Sequence, residues 1–72
     1  MSWSYKPLWI LLIQKDMKRT DLLSVAGLTS NALAKMGKNE PTTMDNLARI
    51  CQTLHCRVED IVEFIPDSPE NE

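Results

Sequence analysis

Apolar residues along the chain recur at helical spacing, in blocks separated by Gly-, Pro- and Thr-marked breaks. The first block predicts a helix over 7–15, with Pro7 tolerated in the first turn because its missing N–H has no helical partner to lose. Trp9, Ile10, Leu11, Leu12 and Ile13 are consecutive there. Five apolar positions in a row exceed the stripe that one core-facing helix buries, so the surplus must meet the chain termini or a second subunit. A second helix is expected over 19–26, with Leu22, Val25 and Ala26 at helical spacing and Gly27 as its left-handed stop. Thr29 stands where its hydroxyl can cap a third helix over 30–36, which Gly37 is expected to end. After the loop 38–42, Thr43 can cap a fourth helix reaching Leu54, and Asp45 in its first turn favours the positive end of the helix dipole. Met44, Leu47, Ala48, Cys51 and Leu54 form its expected core stripe. A short fifth helix over 58–64 carries Ile61, Val62 and Phe64. No segment alternates with period two over a useful length. The expected fold class is therefore all-α, a compact five-helix domain over 1–65 followed by an acidic, proline-broken tail at 66–72.

Length narrows the functional range. Seventy-two residues make one domain with a small core, and a large enzyme with a deep catalytic cleft is excluded by size. A hydrophobic content of 43% with 25% charged residues is ordinary globular composition. The apolar run at 7–13 is too short to span about 30 Å of hydrocarbon, and Gln14, Lys15 and Asp16 end it without a small-residue cleavage site. Two cysteines, Cys51 and Cys56, allow one disulfide at most and do not make a secreted disulfide scaffold. A cytoplasmic, reduced protein is expected.

Charge adds an asymmetry. The net charge is −2 and the pI about 5.3, which is not the balance of a strongly basic nucleic-acid protein. Residues 1–39 nevertheless carry Lys6, Lys15, Lys18, Arg19, Lys35 and Lys38 against Asp16 and Asp21, while residues 40–72 carry Arg49 and Arg57 against eight carboxylates. That split suggests a basic working face and an acidic remainder. It fits a solvated acidic tail beside a neutral domain equally well.

The two short helices meeting at Gly27 read as a helix-turn-helix. Leu22 and Ala26 would form the inner face of its first helix, Leu28 would plug the turn, and Leu33 and Met36 would hold its second helix in place. Ser30, Asn31, Ala34 and Lys35 then fall on the outward side. A helix that is apolar inside and small or hydrogen-bonding outside is one that a major groove admits.

The run from Met17 to Ser30, followed by Leu33, Ala34, Lys35, Met36, Gly37 and Lys38, resembles the Cro/C1-type (xenobiotic-response-element) helix-turn-helix family. The helix order, the proline-containing loop and the closing Val58-Glu59-Asp60-Ile61 are similar too, so the resemblance covers roughly residues 5–65. It implies that the second helix crosses the phosphate backbone while the third enters the major groove, from a homodimer on a two-fold operator. Arg19 would then contact phosphate through its guanidinium. Ser30 and Asn31 would read bases, Asn31 by holding adenine bidentately, and Lys35 would reach a guanine or a phosphate. Lys38 and Asn39 would clamp the backbone, with Lys18 and Thr29 on the same phosphate track. Leu23 stands where the family commonly has a small residue, which implies a tilt of the recognition helix.

The remaining features are weighed against plainer readings. His55 lies four residues from Cys51, but a zinc site takes four ligands and only Cys56 remains, so no metal and no cofactor are expected. A single histidine without a pocket gives no nucleophilic machinery, and no enzyme is expected. Trp3, Trp9, Ile10, Ile13 and Phe64 are candidates for a dimer interface, and Tyr5 completes the aromatic set at the chain start. Glu59, Asp60 and Glu63 make a solvated face or an acidic partner-binding patch. The expected function is sequence-specific double-stranded DNA binding by a transcriptional repressor, with DNA and a second copy as partners and neither membrane nor small-molecule substrate. The alternative on the same fold is a protein-interaction module, a phage-type antirepressor or antitoxin that binds a repressor or toxin. Leu23, the acidic half and the apolar surplus suit that alternative.

Overall fold

The computed structural model describes residues 2–67. The elements in order are β1 (Ser2–Ser4), α1 (Lys6–Gln14), α2 (Asp21–Val25), α3 (Ser30–Gly37), α4 (Met44–Leu54), a 3-10 turn (Val58–Asp60) and β2 (Glu63–Ile65). The domain is mostly helical, with four α-helices and a short sheet, which corrects the all-α, five-helix expectation. The segment expected as a fifth helix is the 3-10 turn running into β2. It is extended there because the chain start offers it a partner: Ser2 pairs with Ile65, Trp3 with Phe64 and Ser4 with Glu63 in an antiparallel ribbon. The Trp3 and Phe64 rings meet edge to face, 5.1 Å apart and inclined at 63°. A two-stranded ribbon is marginal by itself. This one is anchored by its neighbours in sequence, Tyr5 and Ile61, both fully buried. Of the expected acidic tail, residues 68–72 lie outside the described residues.

Local chemistry explains most helix ends. The Thr29 hydroxyl accepts from the Ala32 N–H and the Thr43 hydroxyl from the Asn46 N–H, both at 3.1 Å, so both expected caps form. α2 is shorter than expected because the Asp21 carboxylate accepts the Lys18 N–H at 2.9 Å, holding 18–20 as a turn. Gly27 takes φ +70° and closes the helix-turn-helix bend as expected. Gly37 does not end α3 by a left-handed turn; it belongs to the helix, and Asn39, at φ 61°, makes the reversal two residues later. Asparagine adopts this region more readily than most side chains.

The core consists of Tyr5, Leu8, Leu12, Leu22, Ala26, Leu28, Met36, Leu47, Ile50, Leu54 and Ile61. Burying one such leucine contributes about 1.5–3 kcal/mol, so this cluster fixes the frame on which the surface helices sit. α4 turns a slightly different face inward than expected. Leu47, Ile50 and Leu54 are buried, Cys51 is half-buried at the edge, Ala48 is exposed, and Met44 is 77% exposed. Val25, at helical spacing on α2, and Phe64 are about half exposed. α4 also pins the helix-turn-helix from behind: the Arg49 guanidinium donates to the Gly27 carbonyl at 3.4 Å, and the Thr53 hydroxyl to the Val25 carbonyl at 3.2 Å. Among the described residues no helix is long and apolar enough to cross a membrane.

Candidate nucleic-acid interface

The surface of interest starts at the Gly27 bend. Leu28 is buried beneath it, and the Leu28 N–H reaches the Leu22 carbonyl at 3.4 Å. That contact sets where α3 begins. Met36 is fully buried and Leu33 half-buried against the core, so α3 turns this side inward. Ser30, Asn31, Ala34 and Lys35 are all exposed on its outer side, as the apolar pattern required. Leu23 is half-buried and packs against the core cluster, which accommodates the bulk of its side chain.

Asn31, Lys35 and Thr29 share an open groove of about 390 Å³ with Thr42, Thr43 and Asn46 at the start of α4. The Asn46 side-chain amide donates to the Thr42 hydroxyl at 3.0 Å and braces that second wall. Sequence reasoning missed Thr42 and Asn46 as site residues and took Thr43 only as a cap. Their signal was available: two threonines opening a helix, with an asparagine four residues beyond the first. Ser30 lies on the exposed side of α3 but does not line the groove. Among the described residues no carboxylate lines it, and Lys35 supplies its positive charge. Glu59, Asp60 and Glu63 gather instead around a separate hollow with Lys6 and Ile10.

The candidate phosphate contacts fall nearby with different degrees of freedom. Lys18 and Arg19 are exposed in the turn before α2, and Lys38 is exposed as the C-cap of α3. The Arg19 guanidinium sits 4.0 Å from the Trp9 ring centroid. One of its nitrogens is 3.9 Å from where a Cβ on Gly37 would stand, next to Lys38. Asn39 is partly committed to the fold, because its side-chain Oδ1 accepts the Tyr5 N–H at 3.3 Å. Only its amide N–H groups remain for a phosphate. The Thr29 hydroxyl oxygen is engaged in its cap, but its proton is still able to donate.

The candidate interface residues separate into groups. Trp3 and Phe64 meet edge to face in the ribbon, Ile10 and Ile13 are exposed on α1 at 45% and 72%, and Trp9 is half-buried under Arg19. Cys51 and Cys56 are free, half-buried thiols. Burial, with the Cys51 thiol beside it and Asp60 nearby, pushes the Cys56 thiol up to about 11. Burial likewise raises the Tyr5 phenol.

A model of the Cro/C1-type HTH DNA-binding domain matches residues 7–67, from the second residue of α1 to the end of the described chain. No curated protein matches the sequence. Among solved structures, the crystal structure of the transcriptional regulator VanUg, Form II, is similar to this chain with a TM-score of 0.87 and 41% identity, over 92% of this chain and 88% of that one. The matched span takes in the buried Leu22–Met36 framework, the Gly27 bend and the exposed face of α3 together, and the chain belongs to the Cro/C1-type helix-turn-helix family of DNA-binding domains.

Proposed function

We propose that this chain is a sequence-specific transcriptional regulator that binds double-stranded DNA with α3 in the major groove and acts as a repressor. The observation that carries the reading is the two-sided character of α3: Met36 and Leu33 hold it to the core while Ser30, Asn31, Ala34 and Lys35 stay exposed. Asn31 has the bidentate amide suited to adenine, and Lys35 and Ser30 reach guanine, phosphate or either base edge. Lys18, Arg19, Thr29, Lys38 and Asn39 supply phosphate contacts, which fix register but carry no sequence information. Thr42, Thr43 and Asn46 extend the polar surface at the far wall of the groove. A domain seated on an operator excludes other proteins from that DNA, which is the physical basis for repression.

The same reading takes the protein as a homodimer, supported by the exposed Ile10 and Ile13 on α1 and the Trp3–Phe64 pair. Two recognition helices in a dimer meet half-sites about 34 Å apart. The discriminating experiment is duplex binding titrated with salt, against genomic fragments and scrambled sequence. Preferred-site binding with a salt slope of several units supports the reading. A second reading is favoured by the apolar hollow in which Trp3, Met44 and Val58 are exposed, on the other side of Pro41 and Thr42, which line both it and the α3 groove. It is the protein-interaction module that binds a repressor or toxin. Absence of duplex binding even near about 50 mM salt turns the result in its favour.

A further inference from the structure

Trp9 occupies an unusual place on α1. Leu8 and Leu12, its neighbours on the helix, are fully buried, whereas Trp9 stays half-buried with one ring face covered by the Arg19 guanidinium at 4.0 Å. That guanidinium also lies near the end of α3: one of its nitrogens is 3.9 Å from where a Cβ on Gly37 would stand, and Gly37 precedes Lys38 in the chain. Stacking on an indole uses the face of the guanidinium plane, while its N–H donors lie in the plane and stay open to an acceptor. A free arginine loses rotamer freedom when it is fixed on a phosphate. Here the aromatic ring has already removed much of that freedom.

We propose that Trp9 is a positioning residue for DNA binding: its indole holds Arg19 stacked beside Gly37 and Lys38, so that the two cations form one pre-set phosphate clamp. The proposal rests on the DNA-binding reading above and adds to it a residue of α1 that touches no DNA. It also gives Trp9 a role other than subunit contact, because the ring face is occupied within one chain.

The test is a double-mutant cycle on duplex affinity, with Trp9→Leu, Arg19→Ala and the double variant, measured at several salt concentrations far below the melting temperature. Trp9→Leu is expected to weaken binding about 2- to 5-fold and to leave the slope of log K against log salt unchanged, since the charge remains. Arg19→Ala is expected to lower that slope by about one unit. In the Arg19→Ala background, Trp9→Leu is expected to have no further effect, and Trp9→Phe in the wild-type background to recover part of the loss. Upfield-shifted Arg19 side-chain protons in the NMR spectrum of the free protein, absent in Trp9→Leu, report the stack without DNA. Should Trp9→Leu fail to fold, Trp9→Phe and Trp9→Tyr carry the same cycle. Additive losses, an unchanged affinity in Trp9→Leu, or unshifted Arg19 protons overturn the proposal while leaving wild-type DNA binding intact. A wild-type chain that binds no duplex overturns the DNA reading and the clamp together, and that result is read before any variant is made.

Discussion

The phenol of Tyr5 donates to the backbone carbonyl of Glu40 at 2.8 Å, and the Tyr5 N–H donates to the side-chain carbonyl of Asn39 at 3.3 Å. One buried residue thus ties the start of α1 to the loop between α3 and α4, 35 positions away along the chain. The tie matters for the site, since that loop carries Lys38 at one end and leads into Thr42 and Thr43 at the other.

Tyr5→Phe keeps the ring in the core and removes only the hydroxyl. The Glu40 carbonyl loses its donor, and a cost of about 1 kcal/mol is expected. In a domain of this size that lowers the melting temperature by roughly 4–8 °C. Thermal unfolding followed by circular dichroism measures it, and an unchanged melting temperature would show that solvent replaces the donor freely.

The two threonine caps support both a helix start and the groove wall. Thr29→Ala and Thr43→Ala each remove one acceptor from a helix start and are expected to cost about 1 kcal/mol of stability. Both threonines line the groove, so each replacement is expected to weaken duplex binding as well, whereas Thr29→Ser and Thr43→Ser keep both properties. Urea unfolding and duplex titration of the same samples separate the two effects.

How much of this was legible before the structure follows from the range of each interaction. The helix-turn-helix rests on Leu22, Ala26, Gly27, Leu28 and Met36, all within fifteen residues, and each signal is local: spacing, a left-handed stop, a capping hydroxyl. The outward set Ser30, Asn31 and Lys35 follows from the same periodicity. The ribbon was not legible, because strands of three residues are too short for alternation to show and the pairing of Trp3 with Phe64 joins opposite ends of the chain. On α4 both Met44 and Ile50 lie at helical spacing from Leu47, and only tertiary packing decides that Ile50 is buried and Met44 exposed. That Thr42, Thr43 and Asn46 face α3 across the groove, and that Trp9 stacks on Arg19, are likewise products of helix arrangement.

The cysteine pair makes a prediction in pH. The Cys56 thiol is held up to about 11, chiefly by burial and then by Cys51 and Asp60, against an ordinary value of 9.0. The unfolded chain therefore gives up this proton at lower pH than the folded one, so stability is full below about pH 9 and declines as the pH rises toward 11. Alkylation of the native protein at pH 8 is expected to label Cys56 more slowly than a small free thiol, with the difference lost in urea. Equal rates in native and unfolded protein would contradict the burial effect.

Asn31 and Lys35 line one groove but are expected to fail differently when truncated. Asn31→Ala removes an amide able to pair with one base and leaves the charge unchanged. It is expected to cost about 1–3 kcal/mol at the preferred site, to relax discrimination at one base pair, and to leave binding to scrambled duplex and the salt slope as they were. Lys35→Ala removes a cation. If its ammonium meets a phosphate, binding to preferred and scrambled duplex falls alike and the slope of log K against log salt drops by about one unit; if it meets a guanine, the preferred site suffers more than the scrambled one. The exposure of both side chains makes either change readable without a large loss of fold stability. Salt-resolved titration of both variants against preferred and scrambled duplexes checks the pair. An Asn31→Ala variant that loses affinity equally on both duplexes would remove this residue from base reading and shift the specificity of α3 onto Ser30.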